Sequence, residues 1–264
     1  MKRLCLVSLL FLAWSASAHA QLTAPAPQVL VPAAGSVAGL NGTFFRSDIA
    51  VFNYRHSDQN VAFQWLPQGQ SGLAETITQI TIPGLSGIIS EDFVNNNLHR
   101  SGLGAMVVTA VGQDGQPDPL GALFVTSRIW TLQAGNSQGT VSQTFPTIDT
   151  SRINSSNVAI LGQRVSSQYR ANVGIVNLST SEQTFEVLQN SDDPTFAPLL
   201  QTVIVPPRAV QQVTLQNTRV AALQVRVRAI TAVDPRQWVT YGSSIDNVTG
   251  DSWSSLGVIT VVTP

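Results

Sequence analysis

A nine-residue segment of the sequence, FRSDIAVFN at residues 45–53, returns as YRANVGIVN at residues 169–177. In both copies apolar residues alternate with polar or small ones, and this period of two predicts a β-strand with one buried face. The repeated motif comprises matched positions in the two copies: Arg46, Asp48 and Asn53, and Arg170, Asn172 and Asn177. The sequence therefore predicts one strand that is present twice.

Further blocks match in the same order along the two halves of the chain. The matched blocks are residues 57–59 and 181–183, 80–83 and 203–206, 105–106 and 222–223, and 127–129 and 243–245. The number of residues that separates the two copies of a block decreases gradually along the chain, as expected when turns differ in length and strands do not. The sequence therefore predicts an internal duplication.

Most of the remaining sequence has the pattern of short strands separated by turn residues. Leu223 to Ala229 shows the clearest alternation of apolar and polar residues. The other predicted strands are residues 46–53, 61–66, 76–82, 105–111 and 120–130 in the first half, and 170–177, 184–188, 200–205, 210–215 and 238–245 in the second. A single helical turn is predicted at residues 90–98, with Ser90 as its cap and its apolar residues turned inward.

These segments predict an all-β fold of two tandem β-sandwich modules. Each half has about 120 residues, which suits two sheets that bury their alternating faces against each other. Module 1 is predicted at residues 37–148 and module 2 at residues 149–264. The polar stretch at residues 147–152 is predicted to be an exposed linker between them.

The N-terminal residues have the pattern of a secretory signal peptide. Lys2 and Arg3 precede an apolar run, and Ala18-His19-Ala20 forms a small-x-small cleavage site, so residues 1–20 are predicted to be removed. The proline-containing residues 21–36 are predicted to form an extended leader that ends as an edge strand. No later segment contains about 18 consecutive apolar residues, so no membrane span is predicted.

The composition excludes several classes of protein. Charged residues make up 11% of the chain and hydrophobic residues 43%, which excludes a disordered, highly charged chain. The formal net charge of −1 provides no basic field, so no nucleic-acid partner is predicted. Cys5 and Lys2 lie in the predicted signal peptide, and no cysteine or lysine follows them. The secreted chain is therefore predicted to have no disulfide, thiolate metal site or lysine nucleophile.

Two stretches resemble repeats of bacterial secreted proteins: residues 169–177, and SIDNVTGD at residues 244–251, which contains Asp246 and Asn247. In those repeats an aromatic-Arg-Thr-Asp/Asn strand opens an immunoglobulin-like module, and an Asp-Asn-x-Thr-Gly-Asp hairpin lies near its end. The resemblance implies two tandem immunoglobulin-like modules, of a kind found in extracellular and cell-surface proteins and sometimes appended to enzymes. The first half departs from the pattern, because residues 130–133 read WTLQ where the hairpin is expected.

No constellation of catalytic residues stands out. Residues 135–139 have the Gly-x-Ser-x-Gly spacing of serine hydrolases, but no histidine follows them to complete a triad. The distant His56 and His99 do not make a zinc site, and the adjacent Glu91 and Asp92 do not make the facing carboxylate pair of a glycosidase. The protein is therefore predicted to be no enzyme and to hold no cofactor or metal.

Calcium is an alternative that the sequence leaves open. The side chains of residues 190–193, and those of Asp246 and Asp251, offer oxygen atoms of the kind that calcium prefers. Neither group has the spacing of an EF-hand loop. Turns also favour Asp and Asn, because these side chains accept hydrogen bonds from nearby backbone amides, and turn formation is the favoured interpretation.

Four tryptophans are candidates for a surface on which sugars stack. They are Trp65, Trp130, Trp238 and Trp253. Core packing is the favoured interpretation for this group, since large aromatic side chains contribute most to stability when buried. Trp253 follows a turn at Gly250 and is the member of the group expected to be exposed.

The repeated motif itself has a functional and a structural interpretation. Arg46 and Arg170 could bind an anion or a partner, but a hydrogen-bond network repeated in both modules is favoured. Asn53 and Asn177 are in phase with buried residues, so we expect each amide to be buried and bonded to the backbone of the following turn.

The sequence thus predicts a non-catalytic protein, secreted or periplasmic, that acts in adhesion, surface association or binding of an extracellular protein or glycan. One alternative is a periplasmic assembly chaperone with two immunoglobulin-like domains. Such chaperones anchor the carboxylate of a client with an arginine and a lysine, and the secreted chain has no lysine. A second alternative is a carbohydrate-binding or carbohydrate-degrading protein.

Overall fold

The structure is a computed structural model that describes residues 24–39, 42–133, 136–191, 195–216 and 223–259. Nearly all of its regular structure is β-strand in antiparallel sheets, so the predicted all-β class is confirmed. The predicted signal peptide lies outside the described residues. Within the described ranges no helix is long and apolar enough to cross a membrane.

The first half of the structure consists of strands β1 to β9. They are β1 (Gln28–Ala38), β2 (Phe44–Asn53), β3 (Gln59–Pro67), β4 (Thr78–Ile82), β5 (Gly87–Ser90), β6 (Gly102–Val111), β7 (Leu123–Gln133), β8 (Asn136–Gln143) and β9 (Ile148–Asp149). Sheet I has the order β4-β3-β6-β1-β9, and sheet II has the order β5-β2-β7-β8. Alternating residues of both sheets, such as Val31, Ile49, Phe63 and Val125, fill one core between them.

Strand β1 lies in the interior of sheet I, whereas the sequence placed it in a leader with an edge strand. It pairs with β6 on one side and with β9 on the other, and it joins sheet II where Val37 and Ala38 pair with β2. Its apolar run is buried on both faces. The proline that suggested an edge, Pro32, falls at a register shift in the ladder, where a missing backbone donor is tolerated.

The second half consists of strands β10 to β18. They are β10 (Asn157–Gln163), β11 (Tyr169–Asn177), β12 (Gln183–Asn190), β13 (Leu199–Val205), β14 (Ala209–Thr214), β15 (Leu223–Ala229), β16 (Trp238–Asp246), β17 (Ser252–Leu256) and β18 (Val258–Ile259). Sheet III has the order β13-β12-β15-β10-β18, and sheet IV has the order β14-β11-β16-β17. Residues of both sheets, including Ile160, Val173, Phe185 and Trp238, fill a second core.

Every strand pairing of the second half has a counterpart in the first. In sheet III, β10 pairs with β15 and β18 as β1 pairs with β6 and β9, and β12 pairs with β13 and β15 as β3 pairs with β4 and β6. In sheet IV, β11 pairs with β14 and β16 as β2 pairs with β5 and β7, and β16 pairs with β17 as β7 pairs with β8. Even the register shift recurs, after Val31 in β1 and after Ile160 in β10. Sheets III and IV are therefore the counterparts of sheets I and II.

The strand order differs from that of an immunoglobulin domain. In an immunoglobulin constant domain the first, second, fourth and fifth strands share a sheet. Sheet I instead contains β1, β3, β4 and β6, and sheet III contains their counterparts. The motifs in the sequence identify strands correctly, but they do not determine which strands pair, because pairing depends on contacts between distant parts of the chain.

The two halves pack against each other through an apolar interface. Outward side chains of sheet I, including Leu30, Leu66 and Val107, meet outward side chains of sheet IV, including Val176 and Tyr241. These residues are almost completely buried, and they form a third hydrophobic cluster. The interface therefore joins sheet I of the first half to sheet IV of the second, which are not counterparts.

The predicted linker at residues 147–152 has regular structure. Ile148–Asp149 form strand β9, and Thr150–Arg152 form a 3-10 turn in which the Asp149 side chain accepts from the backbone amide of Ser151. The Thr150 hydroxyl donates to the Gln28 side chain at 2.9 Å. Because β9 belongs to sheet I, the segment is attached to the first half instead of being an unpatterned connection.

A short helix, α1 (Phe93–Asn96), corresponds to the predicted helical turn. Phe93, Val94 and Leu98 are buried, as predicted. Ser90 is not the cap: Asp92 occupies that position in a left-handed conformation without a capping side-chain bond. The cap was misplaced because the strand β5 extends through Ser90.

The burial of Tyr241 in the interface should make the stability of the folded protein depend on pH. Its ring crosses Gly174, where a Cβ atom would lie 2.1 Å from the ring, and burial raises the pKa of its hydroxyl. Above about pH 10 the tyrosine ionises in the unfolded chain before it does so in the folded protein, so stability falls as the pH rises beyond that point. A spectroscopic titration of phenolate absorbance should show a late step that Tyr241→Phe removes. A late step that survives in Tyr241→Phe would contradict this assignment.

Candidate functional site

The hairpin between β16 and β17 builds the most developed surface site of the second half. The Asp246 carboxylate accepts hydrogen bonds from the backbone amides of Val248 (2.7 Å) and Thr249 (3.4 Å), and these bonds lower the pKa of Asp246. Gly250 has a φ of 78°, a left-handed conformation that favours glycine. The Asp-Asn-x-Thr-Gly-Asp motif thus specifies a tight turn in which Asp246 acts as an ionised acceptor.

An aromatic cleft lies beside this hairpin. We call it the Trp253 cleft; it has a volume of about 430 Å³ and is lined by Gly162, Arg164, Tyr169, Asp246, Asp251 and Trp253. The rings of Tyr169 and Trp253 meet edge to face with centroids 6.0 Å apart, and the Arg164 guanidinium lies within 6 Å of both rings. The Trp253 indole donates to the Gly162 carbonyl at 3.3 Å. The ring of Trp253 is therefore held in place while part of it faces solvent.

A second cleft, of about 410 Å³, lies on the other side of the hairpin, between the two halves. Its lining includes Arg170, Asp246 and Asn247 from the second half and Leu132 and Gln143 from the first. Arg170 donates to the side chain of Asn247, and partial burial lowers the pKa of its guanidinium. The structure thus brings together three residues of the predicted motif: Arg170, Asp246 and Asn247.

The counterpart arginine, Arg46, has different neighbours in the first half. It lies over the rings of Phe44 and Trp130, and its Nε is 3.8 Å from a carboxylate oxygen of Asp92. Asp48 accepts from the Trp130 indole at 2.7 Å and from the Asp92 amide at 3.3 Å. In the second half Asn172 instead accepts from the Thr214 hydroxyl. The predicted repetition of one hydrogen-bond network is therefore wrong: the positions match, but the partners differ.

Asn53 and Asn177 do have matching environments. Both are fully buried, and the Asn53 amide donates to the carbonyls of Ser57 (2.9 Å), Ile82 (3.1 Å) and Pro83 (3.2 Å). Asn177 makes the same three bonds, to the carbonyls of Ser181 (2.8 Å), Val205 (3.2 Å) and Pro206 (2.9 Å). The expected burial and bonding to the following turn are thus confirmed. Each asparagine also bonds to the last residue of another strand, Asn53 to Ile82 of β4 and Asn177 to Val205 of β13.

The four tryptophans divide into two kinds. Trp65 and Trp238 are buried in the two cores, as favoured from the sequence, whereas Trp130 and Trp253 are partly exposed beside an arginine. Arg164, which completes the Trp253 cleft, was missed by the sequence analysis. It lies in an exposed turn without alternation or repeat, so no local signal marks it; only its position across from Tyr169 reveals it.

The remaining candidate residues lie apart from these clefts. His56 and His99 are exposed at separate turns, and within the described residues no three metal-binding side chains of His, Cys, Asp or Glu converge. Of the hydrolase-like spacing at 135–139, Asn136 to Gly139 begin strand β8, and residue 135 lies outside the described residues. Asp192 and Asp193, the acidic residues of the first calcium candidate, also lie outside them.

Comparison with known proteins identifies no family: no protein-family model matches the chain, and no curated protein matches it either. What the structure establishes is the fold class and the cleft: the protein is an all-β chain of several antiparallel sheets, with an aromatic cleft beside an Asp-Asn hairpin.

Proposed function

We propose that the chain is a secreted, non-catalytic protein of two tandem β-sandwich modules that arose by internal duplication, and that it binds an extracellular glycan through the Trp253 cleft. In this role it acts in adhesion or surface association. The observation that carries the proposal is the composition of the cleft: two aromatic rings, a guanidinium and two carboxylates around a volume of about 430 Å³.

These groups suit a sugar ring. The apolar face of a sugar packs against an aromatic ring, and its hydroxyl groups exchange hydrogen bonds with charged side chains. Trp253 supplies the ring, fixed by its bond to Gly162, and Asp251 lies at the rim of the same cleft. Arg164 is exposed, so its side chain is free to turn towards the hydroxyl groups of a ligand.

One carboxylate of the cleft, that of Asp246, is unsuited to be the general acid of a glycosidase. A glycosidase needs one carboxyl group that keeps its proton near neutral pH and acts as a general acid. The backbone amides of Val248 and Thr249 instead lower the pKa of Asp246, which stabilises its ionised form. Asp246 is thereby suited to accept hydrogen bonds and to hold the turn.

The duplication is supported by agreement at several levels. The strand pairings of the second half follow those of the first, and Asn53 and Asn177 bond to corresponding carbonyls. A register shift follows Val31 and Ile160 in corresponding strands. A common ancestor of the two halves explains these agreements together, including the matched segments at residues 45–53 and 169–177. By register Met106 corresponds to Val225 and Ser127 to Gly242, so the predicted matches of residues 105–106 to 222–223 and of 127–129 to 243–245 are wrong by two residues and by one residue.

The chaperone alternative has less support. It requires an arginine and a lysine in the cleft between the halves. Arg170 lies there, but it donates to Asn247, and no lysine follows Lys2 in the sequence. We therefore prefer a glycan ligand in the Trp253 cleft.

A glycan array tests this function. The secreted chain should bind a defined set of glycans, and Trp253→Ala should weaken that binding about 30-fold, since removing a central tryptophan from an interface typically costs about 2 kcal/mol. Trp130→Ala is the matched control, because Trp130 is also a partly exposed tryptophan beside an arginine. Equal binding by wild type and Trp253→Ala, or binding to no glycan at all, would refute the proposal.

A further inference from the structure

The packing of the two halves leaves one sheet face of each half uncovered. The interface covers sheet I of the first half and sheet IV of the second. The free faces are therefore those of sheet II and sheet III. Sheet II is the counterpart of sheet IV, and sheet III is the counterpart of sheet I. Each free face is thus the structural equivalent of a face that is already in contact within the chain.

The free face of sheet II carries an aromatic and aliphatic patch. Phe52 and Phe124 point away from the core, opposite to Val51 and Val125, and Tyr54 lies edge-on to both rings. Ile89, on the neighbouring strand, is 82% exposed. By register Phe52 and Phe124 occupy the positions of Val176 and Val239, which are buried in the interface of the second half.

The free face of sheet III carries a complementary surface. Leu188 faces outward, Leu200 beside it is 60% exposed, and Ile204 is 55% exposed. A cleft of about 430 Å³ lies on this face, lined by Leu188, Leu200, Arg226 and Arg228 among others. Arg226 occupies the position of Val107, which packs in the interface of the first half.

We propose that the chain assembles head to tail with further copies of itself, sheet II of one copy packing on sheet III of the next. The junction repeats the geometry of the internal interface. It places aromatic rings of Phe52, Tyr54 and Phe124 against leucines and guanidinium groups, which attract each other through burial and cation–π contact. Arg226 in place of Val107 makes this part of the junction more polar than the internal interface, as is typical of contacts that form and dissociate.

The symmetry of such a contact determines the product. Sheet II and sheet III are different surfaces, so the contact is heterologous, and each added copy exposes a new free face at either end. A contact of this kind closes into a ring if its rotation closes and otherwise continues as an open chain, and the proposal is the open chain. This assembly is independent of the glycan site, because neither free face contains Trp253.

Sedimentation of the secreted chain over a range of concentrations tests the assembly. For wild type we expect an average mass that rises continuously beyond two copies as the concentration approaches about 1 mM, the weak end of specific contacts. Ile89→Glu and Leu200→Glu each alter one exposed residue of one free face, so each should reduce the assembly strongly without affecting the fold. Val248→Glu is the control. Val248 is 80% exposed and lies on neither of the two free faces, so this variant should assemble like wild type.

A mixture of the two variants is the decisive experiment for the proposed contact between sheet II and sheet III. Ile89→Glu keeps an intact sheet III and Leu200→Glu keeps an intact sheet II, so a mixture should form two-copy complexes and stop there. A wild-type protein that stays a single copy at about 1 mM would overturn the proposal. A wild-type dimer that does not grow, or a mixture that assembles no further than its separate components, would overturn it as well.

Discussion

Replacing Asn177 with alanine is expected to lower the free energy of unfolding by roughly 1–3 kcal/mol, because each buried group left without a partner has a cost of that order. The amide of Asn177 bonds to the carbonyls of Ser181, Val205 and Pro206, and its oxygen accepts from the Ser179 amide at 2.9 Å. All of these bonds disappear together in the variant. Asn53→Ala should produce a similar loss, since its bonds correspond.

The measurement is urea unfolding of the two variants beside Asn172→Ala. Asn172 lies on the same strand as Asn177 and is only partly buried, and its side chain accepts one hydroxyl bond, so its replacement should change stability by less than about 0.5 kcal/mol. If Asn53→Ala and Asn177→Ala unfold like wild type but lose a binding partner, the two asparagines belong to a recognition surface and this account of the motif is wrong.

Leu66→Ala is expected to lower the free energy of unfolding by about 3 kcal/mol, within the range measured for leucine-to-alanine changes in cores. Leu66 is completely buried, although it lies on the outer face of its sheet, because the second half covers it. The change leaves a cavity between the halves. Backbone bonds across the interface, from Gly69 to Val210 and from Gly72 to Pro207, limit how far the halves can close around it.

Urea unfolding again provides the measurement, with Leu200→Ala as the control. Leu200 is 60% exposed on the free face of sheet III, so its truncation should change stability by no more than about 0.5 kcal/mol. Wild type should unfold in one transition, since the interface couples the halves. A loss below about 1 kcal/mol for Leu66→Ala, or two separate transitions in wild type, would show that the halves fold independently.

The interface also changes what proteolysis should reveal. The sequence predicts an exposed linker at residues 147–152, and cleavage of such a linker would release two stable fragments. In the structure Phe145 and Ile153 on either side of that segment are buried in the interface cluster, and β9 pairs with β1. The polar composition of the segment alone did not reveal these contacts, because they are made by Phe145 and Ile153, which flank the segment, and by Ile148 within it.

The strands themselves were largely predictable from the sequence. Alternation of apolar and polar residues located strands such as β2, β11 and β15 to within a few residues. Alternation failed for β1, which is buried on both faces and therefore has a continuous apolar run from Val29 to Val31. It failed also for β5, β8, β10 and β17, which none of the predicted strands covers, and for the two-residue strands β9 and β18, which are too short to show a period.

The candidate site was only partly predictable. The Asp-Asn hairpin and the exposure of Trp253 were expected, because turn residues and a tryptophan after a turn are local signals. The cleft itself depends on Arg164, which belongs to another turn and meets Tyr169 and Trp253 only in the folded chain. Likewise the separate environments of Arg46 and Arg170 depend on α1 in one half and on the hairpin in the other.

Hydrogen exchange of the protein with its best-bound glycan from the array is the most direct test of the central claim, that the Trp253 cleft is the binding site. The account predicts slower exchange at residues 162–170 and 246–254, which surround the cleft, and no change at residues 44–48 and 128–132, which surround Arg46 and Trp130. Protection confined to the segments around Arg46, or protection of neither region by a glycan that binds, would contradict it.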